Sequence, residues 1–464
     1  EVDAEILFLA VASLQELILR LGGQLKPTIA GCAMDIYRRK YHKWPWQVLG
    51  PATNKLARPG FYGGRVENFA FGKVEHCNLY DVTSLYPYAQ SIARYPHPGH
   101  LKLDFPTRAT GKWLDWEGVL EGVLNVPETF IPNVPYRYDK KLFFPVGRMR
   151  GVWTLFDIRH AIHAGATLES CNWILGTPVT FNPFGAFVEQ LFEMRLGYLD
   201  AGSPQANLVK LLLNSLYGRW GLNEEGGLYT IASLDGEIDW EKFRGYETQT
   251  INGKVYAFGQ LGNTHQPDYV NVLFAAQITS EARSILNNEL SRQGESAAYC
   301  DTDSILTTGI VQETNQLGGW RSQMTDGQAD LLGPKEYALH NMVLGDRYVV
   351  KGLPESVAQT YFQEGAARYY RALSIREAIN RGQEPTSWVE TLKSHQATIP
   401  KRQPIPPPSG EPLECYSSRP YRVSDLHYLM KEQGFHQPQP VSFPKRVFRG
   451  RRVQKTRPKL AEMQ

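Results

Sequence analysis

The stretch AAYCDTDSILTT, residues 297–308, sets two carboxylates, Asp301 and Asp303, into an otherwise apolar run. Such a run reads as a β-hairpin with the acids at its tip. Side chains on a strand alternate with period two, so an Asp-x-Asp spacing directs both carboxylates to one face. Left alone they repel each other, and a divalent cation relieves the repulsion. A third acid, Asp81 in NLYDVTSLYPYAQ, ends another strand-like segment where the chain turns into a helix. Three hard oxygen ligands that leave room for water and phosphate oxygens describe Mg2+ better than zinc. The same residues would equally serve structure alone, Asp81 capping a helix and Asp301 and Asp303 decorating a turn.

A second constellation carries cations. In ANLVKLLLNSLYGRWG, Lys210, Asn214 and Tyr217 fall at i, i+4 and i+7 and share one helical face, while the leucines form a separate core-facing stripe. A cation, an amide and an aromatic ring in a row suit a triphosphate and a base. This helix and the one before it (182–199 and 204–219) flank Gly202-Ser203-Pro204, a turn signal. Folding the pair about that turn sets Lys210 opposite Arg195, an unfavourable meeting unless an anion lies between them. Two solvated charges pointing apart are the plainer alternative.

The rest of the chain bounds the setting. Its 464 residues, 42% hydrophobic and 21% charged, suffice for two or three domains. No apolar run of membrane-spanning length occurs. The start, EVDAEILFLAVASLQELILRLGG, is an amphipathic helix rather than a signal sequence, and it lacks an initiating Met, as expected of a cleaved or truncated start. Five scattered cysteines without paired spacing fit reduced thiols better than disulfides or a zinc site. Residues 401–464 hold 13 Lys/Arg against 5 Asp/Glu, so the net +3 is concentrated in a Pro- and Arg-rich tail. That tail suits a polyanionic partner or a solvated surface. Two helices are expected over 4–44, a loop over 45–60, short strands over 121–150 and a helix over 271–293. Asn252-Gly253 marks a type I′ hairpin.

Taken together, these segments resemble the motifs of family B DNA polymerases. DVTSLYP (Asp81–Pro87) is similar to motif A, KLLLNSLYG (Lys210–Gly218) to motif B and YCDTDS (Tyr299–Ser304) to motif C, in the family's order. FYGGR (Phe61–Arg65) resembles the YxGG motif and KEY (Lys335–Tyr337) the KxY motif of the protein-primed branch of phages, viruses and linear plasmids. The resemblance implies an α+β right-hand fold with an antiparallel palm, short two-helix fingers and a thumb. On it, residues 1–60 are the remnant of an exonuclease domain and linker, with Asp3 ending its third motif. Palm with an insertion between motifs A and B is expected over 61–181, fingers over 182–222, a terminal-protein or strand-displacement insertion over 223–268 and palm again over 269–345. Thumb and tail occupy 346–464.

The implied activity is template-directed addition of dNTPs to a 3′-hydroxyl by two-metal phosphoryl transfer, without proofreading in this chain. The rival is an inactive template-binding protein that keeps the fold. Asp81 and Asp303, with the Val82 carbonyl, would hold two Mg2+ ions (Mn2+ as substitute), Asp301 being a less certain ligand of the same cluster. Arg195, Lys210 and the backbone at Ser84 and Leu85 would take the triphosphate. Tyr86 would exclude a 2′-hydroxyl, and Asn214 and Tyr217 would line the nascent pair. Tyr62, Gly63, Gly64, Arg65 and Thr302 are expected at the template and primer, and Lys335 and Tyr337 at the primer terminus. Expected partners are DNA, dNTPs and a terminal protein, for a monomer acting in the host cytoplasm or with a virus particle, away from membranes.

Overall fold

An antiparallel sheet of nine strands organises the computed structural model. It describes residues 2–42, 49–106, 113–138, 140–222, 229–234, 247–260, 267–384, 387–394, 400–405 and 415–432. The side chain of Asp3 and the tail beyond 432 lie outside the described residues, so those expectations are not addressed by the structure.

The sheet is assembled from distant parts of the chain. Its first two strands in the chain are β1 (Val66–Asn68), at one edge, and β2 (Ala70–Val82), in the interior. Between them lies the acidic hairpin, Ala297–Asp301 and Ser304–Thr307, with Val66 opposite Asp301 and Ser304 opposite Asp81. On the other side of β2 follow Trp320–Gly333, Glu336–His340 and Arg347–Val350. Strand Cys415–Arg419 then pairs with the beginning of β2, Ser417 facing Ala70. The short strand Gln403–Pro404 pairs with it in turn, so the region expected to hold thumb and tail supplies three strands of this sheet. Nothing in its weak periodicity signalled that pairing, which is made by sequence-distant backbone.

Helices cover the sheet. Helix α1 (Val2–Arg20) and α2 (Ile29–Ile36) stand where two helices were expected, and Thr28 caps the second by accepting from Gly31 N–H at 3.0 Å. The loop expected over 45–60 contains a helix, α3 (Pro51–Ala57), started by Pro at its first position. Helix α4 (Leu85–Ile92) follows β2, and α5 (Leu155–His163) follows a strand of a second, four-stranded sheet built from 102–104, 117–126, 147–154 and 167–177. Helices α6 (Gly185–Asp200) and α7 (Gln205–Trp220) form the expected antiparallel pair. Helix α8 (Val272–Gln293), almost wholly buried, runs between the two sheets, with Leu286 and Leu290 against Tyr80, Cys300 and Ile305 of the palm. Its first turn is tied to α3, because the Asn54 side chain accepts from Val272 N–H and donates to the Val270 carbonyl.

Within 223–268 the described strands are Tyr229–Leu234, Glu247–Ile251 and Lys254–Gln260. The last two form the expected hairpin, with Asn252 and Gly253 at φ 49° and 79°, the left-handed pair that a type I′ turn requires.

Candidate active site

Asp81 is the penultimate residue of β2, and Asp303 sits in the two-residue turn of the neighbouring hairpin. Thr302 starts that turn at φ 62°. Three backbone bonds of 2.7 Å fix it: Thr302 N–H to the Arg65 carbonyl, Asp303 N–H to the Asp301 carbonyl and Val82 N–H to the Asp303 carbonyl. The acids of the Asp-x-Asp are therefore separated by a turn rather than aligned along one strand, and strand alternation does not govern them. Their surroundings differ accordingly. Both oxygens of Asp301 are held by the Lys335 ammonium, while the Tyr299 hydroxyl donates to Asp301 at 3.3 Å and accepts from Lys335 N–H at 3.0 Å. Tyr337 packs its ring 5.1 Å from that of Tyr299.

Asp81 and Asp303 make no ion pair among the described residues. Burial, and then the facing Asp303, pushes the Asp81 carboxyl up to about 7. Burial and Asp301 likewise raise Asp303, and Lys210 from α7 opposes the rise at both acids. Two half-buried carboxylates that repel each other and lack a salt-bridge partner fit a hard divalent cation. Among the described residues no group of three or more His, Cys, Asp and Glu is arranged to hold a metal ion.

Around this pair the structure gathers most of the expected residues. Ser84, left-handed at φ 54°, starts α4, and its hydroxyl accepts from Arg195 at 3.5 Å. Leu85 and Val82 are buried, so only their main chain is available to a ligand. Tyr86 and Tyr217 stack with ring centres 4.1 Å apart and planes 9° from parallel. Asn214 lies on α7 one turn beyond Lys210. Gly64 is pressed against the hairpin turn: a Cβ there would stand 2.8 Å from the Thr302 side chain and 3.1 Å from the Tyr86 hydroxyl.

Two expected DNA contacts are corrected. Arg65 is fully buried, bonded to Glu67 at 2.6 Å, to Asn287 and to the Pro132 carbonyl, and it stacks on Phe144. Tyr62 is buried too, donating to the Val152 carbonyl at 2.9 Å. Both side chains point into the core because the Gly63-Gly64 segment passes over the palm with its flanks anchored. Arg283, which no sequence signal singled out, is one anchor: it donates to the carbonyls of Tyr62 and Gly63 and pairs with Asp157. The Arg65–Glu67 pair matches its sequence spacing, since residues two apart along extended backbone share a face.

An antiparallel palm with acids at one end, flanked by a two-helix projection that points a lysine at them, defines the polymerase class of right-hand folds. The sequence profile of DNA polymerase type B, organellar and viral, matches residues 4–268, and the chain belongs to that family. Over 335 residues it is 30% identical to the DNA-directed DNA polymerase of Enterobacteria phage PRD1, covering 68% of this chain and 55% of that one. With the DNA polymerase of Bacillus phage phi29 it shares 24% over 357 residues, 71% of this chain and 57% of the relative. The chain thus spans a little over half the length of these curated relatives. Phi29 DNA polymerase complexed with primer-template DNA matches with a TM-score of 0.62 at 17% identity, over 83% of this chain and 70% of that one. Among the described residues no helix is long and apolar enough to cross a membrane.

Proposed function

We propose that this chain carries the nucleotidyl-transfer centre of a template-directed DNA polymerase, extending a 3′-hydroxyl with dNTPs. The observation that carries the reading is the unpaired Asp81–Asp303 couple under Lys210, at the junction of palm and fingers. Asp81, Asp303 and the Val82 carbonyl would hold Mg2+, two ions with Mn2+ as substitute, which when bound supply activation of the 3′-hydroxyl and neutralisation of the leaving pyrophosphate. Phosphoryl transfer depends on in-line positioning and charge neutralisation more than on a strong protein base, which agrees with a centre of acids and cations. Lys210 and Arg195 bind the triphosphate. The Tyr86–Tyr217 stack forms the floor beneath sugar and base, and Tyr86 crowds a 2′-hydroxyl. Gly64 lets the main chain approach the template strand, and Lys335 fixes Asp301 beside the primer end. The family likeness also supports a terminal protein as the source of the first hydroxyl, with replication of a viral or plasmid genome in the host cytoplasm as the setting.

Primer extension with Mg2+ and dNTPs tests the reading, comparing the native chain with Asp303→Ala. Extension by the native chain alone is expected. Binding of primed template without extension by either protein would replace the polymerase with a template-binding protein of the same fold.

A further inference from the structure

Asp81 has two cross-strand partners, Ser304 on the acidic hairpin and Arg321 on the opposite side. Residues directly opposite in an antiparallel pair project from the same face of the sheet, so Arg321 emerges beside the carboxylate pair, away from the hairpin. Its root is rigid. Thr83 N–H donates to the Gly319 carbonyl and Gly318 N–H to the Thr83 carbonyl, both at 2.9 Å. Gly318, at φ +79°, lies so close to Tyr88 that a Cβ would stand 2.2 Å from the ring. Arg321 itself is exposed and makes no ion pair or hydrogen bond among the described residues. It also acts on another cation: after burial, Arg321 is what lowers the pKa of Arg195. Arg195 in turn reaches Ser84, three residues beyond Asp81.

Two guanidinium groups held beside each other repel unless an anion lies between them. Resting on the polymerase reading, we propose that Arg321 is a further substrate-binding residue, completing with Arg195 a clamp for the β- and γ-phosphates of the incoming nucleotide and for the released pyrophosphate. The position argues for this ligand over the DNA backbone. Arg321 pairs with β2 on the side away from the hairpin and acts on Arg195 of α6, whereas Thr302 and Asp301 belong to the hairpin, where the Lys335 ammonium holds Asp301. A planar fork on a stapled strand suits the non-bridging oxygens of a diphosphate.

The test compares the native chain with Arg321→Ala and Arg321→Lys. Loss of one charge-assisted contact is expected to raise the KM for dNTP by about 10-fold, with kcat and the Kd for primed template little changed and Lys restoring part of the loss. Pyrophosphorolysis should slow in parallel. In that reverse step a pyrophosphate oxygen bonds to the α-phosphorus of the terminal nucleotide as the bond to the penultimate 3′-oxygen breaks, releasing a dNTP and a primer one residue shorter. An unchanged KM in an active Arg321→Ala chain overturns the proposal, as does a raised template Kd with unchanged KM. If the native chain extends nothing, the polymerase reading fails by itself. Thermal stabilisation by inorganic pyrophosphate then decides the clamp, which predicts a shift in the native chain that Arg321→Ala loses and is overturned by equal shifts.

Discussion

Lys335 and Asp301 form a closed pair, the ammonium lying 2.8 and 2.6 Å from the two carboxylate oxygens. The pair splits the acids of the hairpin into one neutralised and one free for a cation. Lys335→Ala should therefore impair extension by restoring a charge that opposes ionisation of Asp303, and adding Asp301→Asn should recover part of the loss. Lys335 is 42% exposed, so the coupling is expected at about 1 kcal/mol, roughly fivefold in rate. Extension rates around the four-member cycle measure it, and strictly additive losses would show that the pair is incidental.

Gly64→Ala is expected to reduce extension by about 100-fold while leaving the fold intact, because a small displacement of reacting groups carries a large rate cost. The added methyl would press on Thr302 and Tyr86, both at the centre. Circular dichroism should match the native chain. Gly63→Ala is the control, since no neighbouring atom comes within 4 Å of its Cβ position.

Glu281 makes the stability of the fold depend on pH. Burial, and then Glu117, pushes its carboxyl up to about 8, with Asp157 adding to the rise and Arg159 and Gln277 opposing it. Buried Tyr95 also faces it. A carboxyl bound more tightly to its proton in the folded state destabilises the fold as pH rises from the unfolded value of 4.5 to the folded value near 8. Glu281→Gln should therefore melt above the native chain at pH 8, with the gap closing as pH falls towards 5. A gap independent of pH would assign the effect to packing instead.

Glu67 lies fully buried between Arg65 at 2.6 Å and Arg402 at 4.0 Å. Glu67→Gln leaves two guanidinium groups in the interior without a counter-charge and should cost about 3–5 kcal/mol in urea unfolding. Arg402→Met removes the surplus cation together with its bonds to Ser418. Because those two effects oppose each other, its cost should be the smaller. The reverse order would mean that Arg402, and not Arg65, is the principal partner of Glu67.

Much of the centre was legible in the sequence because local rules govern it. Lys210, Asn214 and Tyr217 follow from helical spacing, and the Asn252-Gly253 hairpin from turn chemistry. Asp81 at a strand end follows from hydrophobic patterning. What escaped was set by partners distant along the chain. Arg65 and Tyr62 look like surface residues beside two glycines until Asn287, Pro132 and Val152 arrive to bury them. Asp301 and Asp303 look equivalent until Lys335 selects one. Arg321 carries no motif at all, and only its register opposite Asp81 reveals it.

The strand Cys415–Arg419 has a consequence for how the protein is made. It pairs with Ala70–Gly72, at the start of the strand that ends in Asp81. During synthesis at about 5–20 residues per second, the beginning of β2 waits on the order of tens of seconds for this last neighbour. An incomplete sheet edge in that interval is open to pairing with other chains. The strand that ends in Asp81 is among the first parts of the nine-stranded sheet to leave the ribosome, and it is completed by a strand made about 330 residues later.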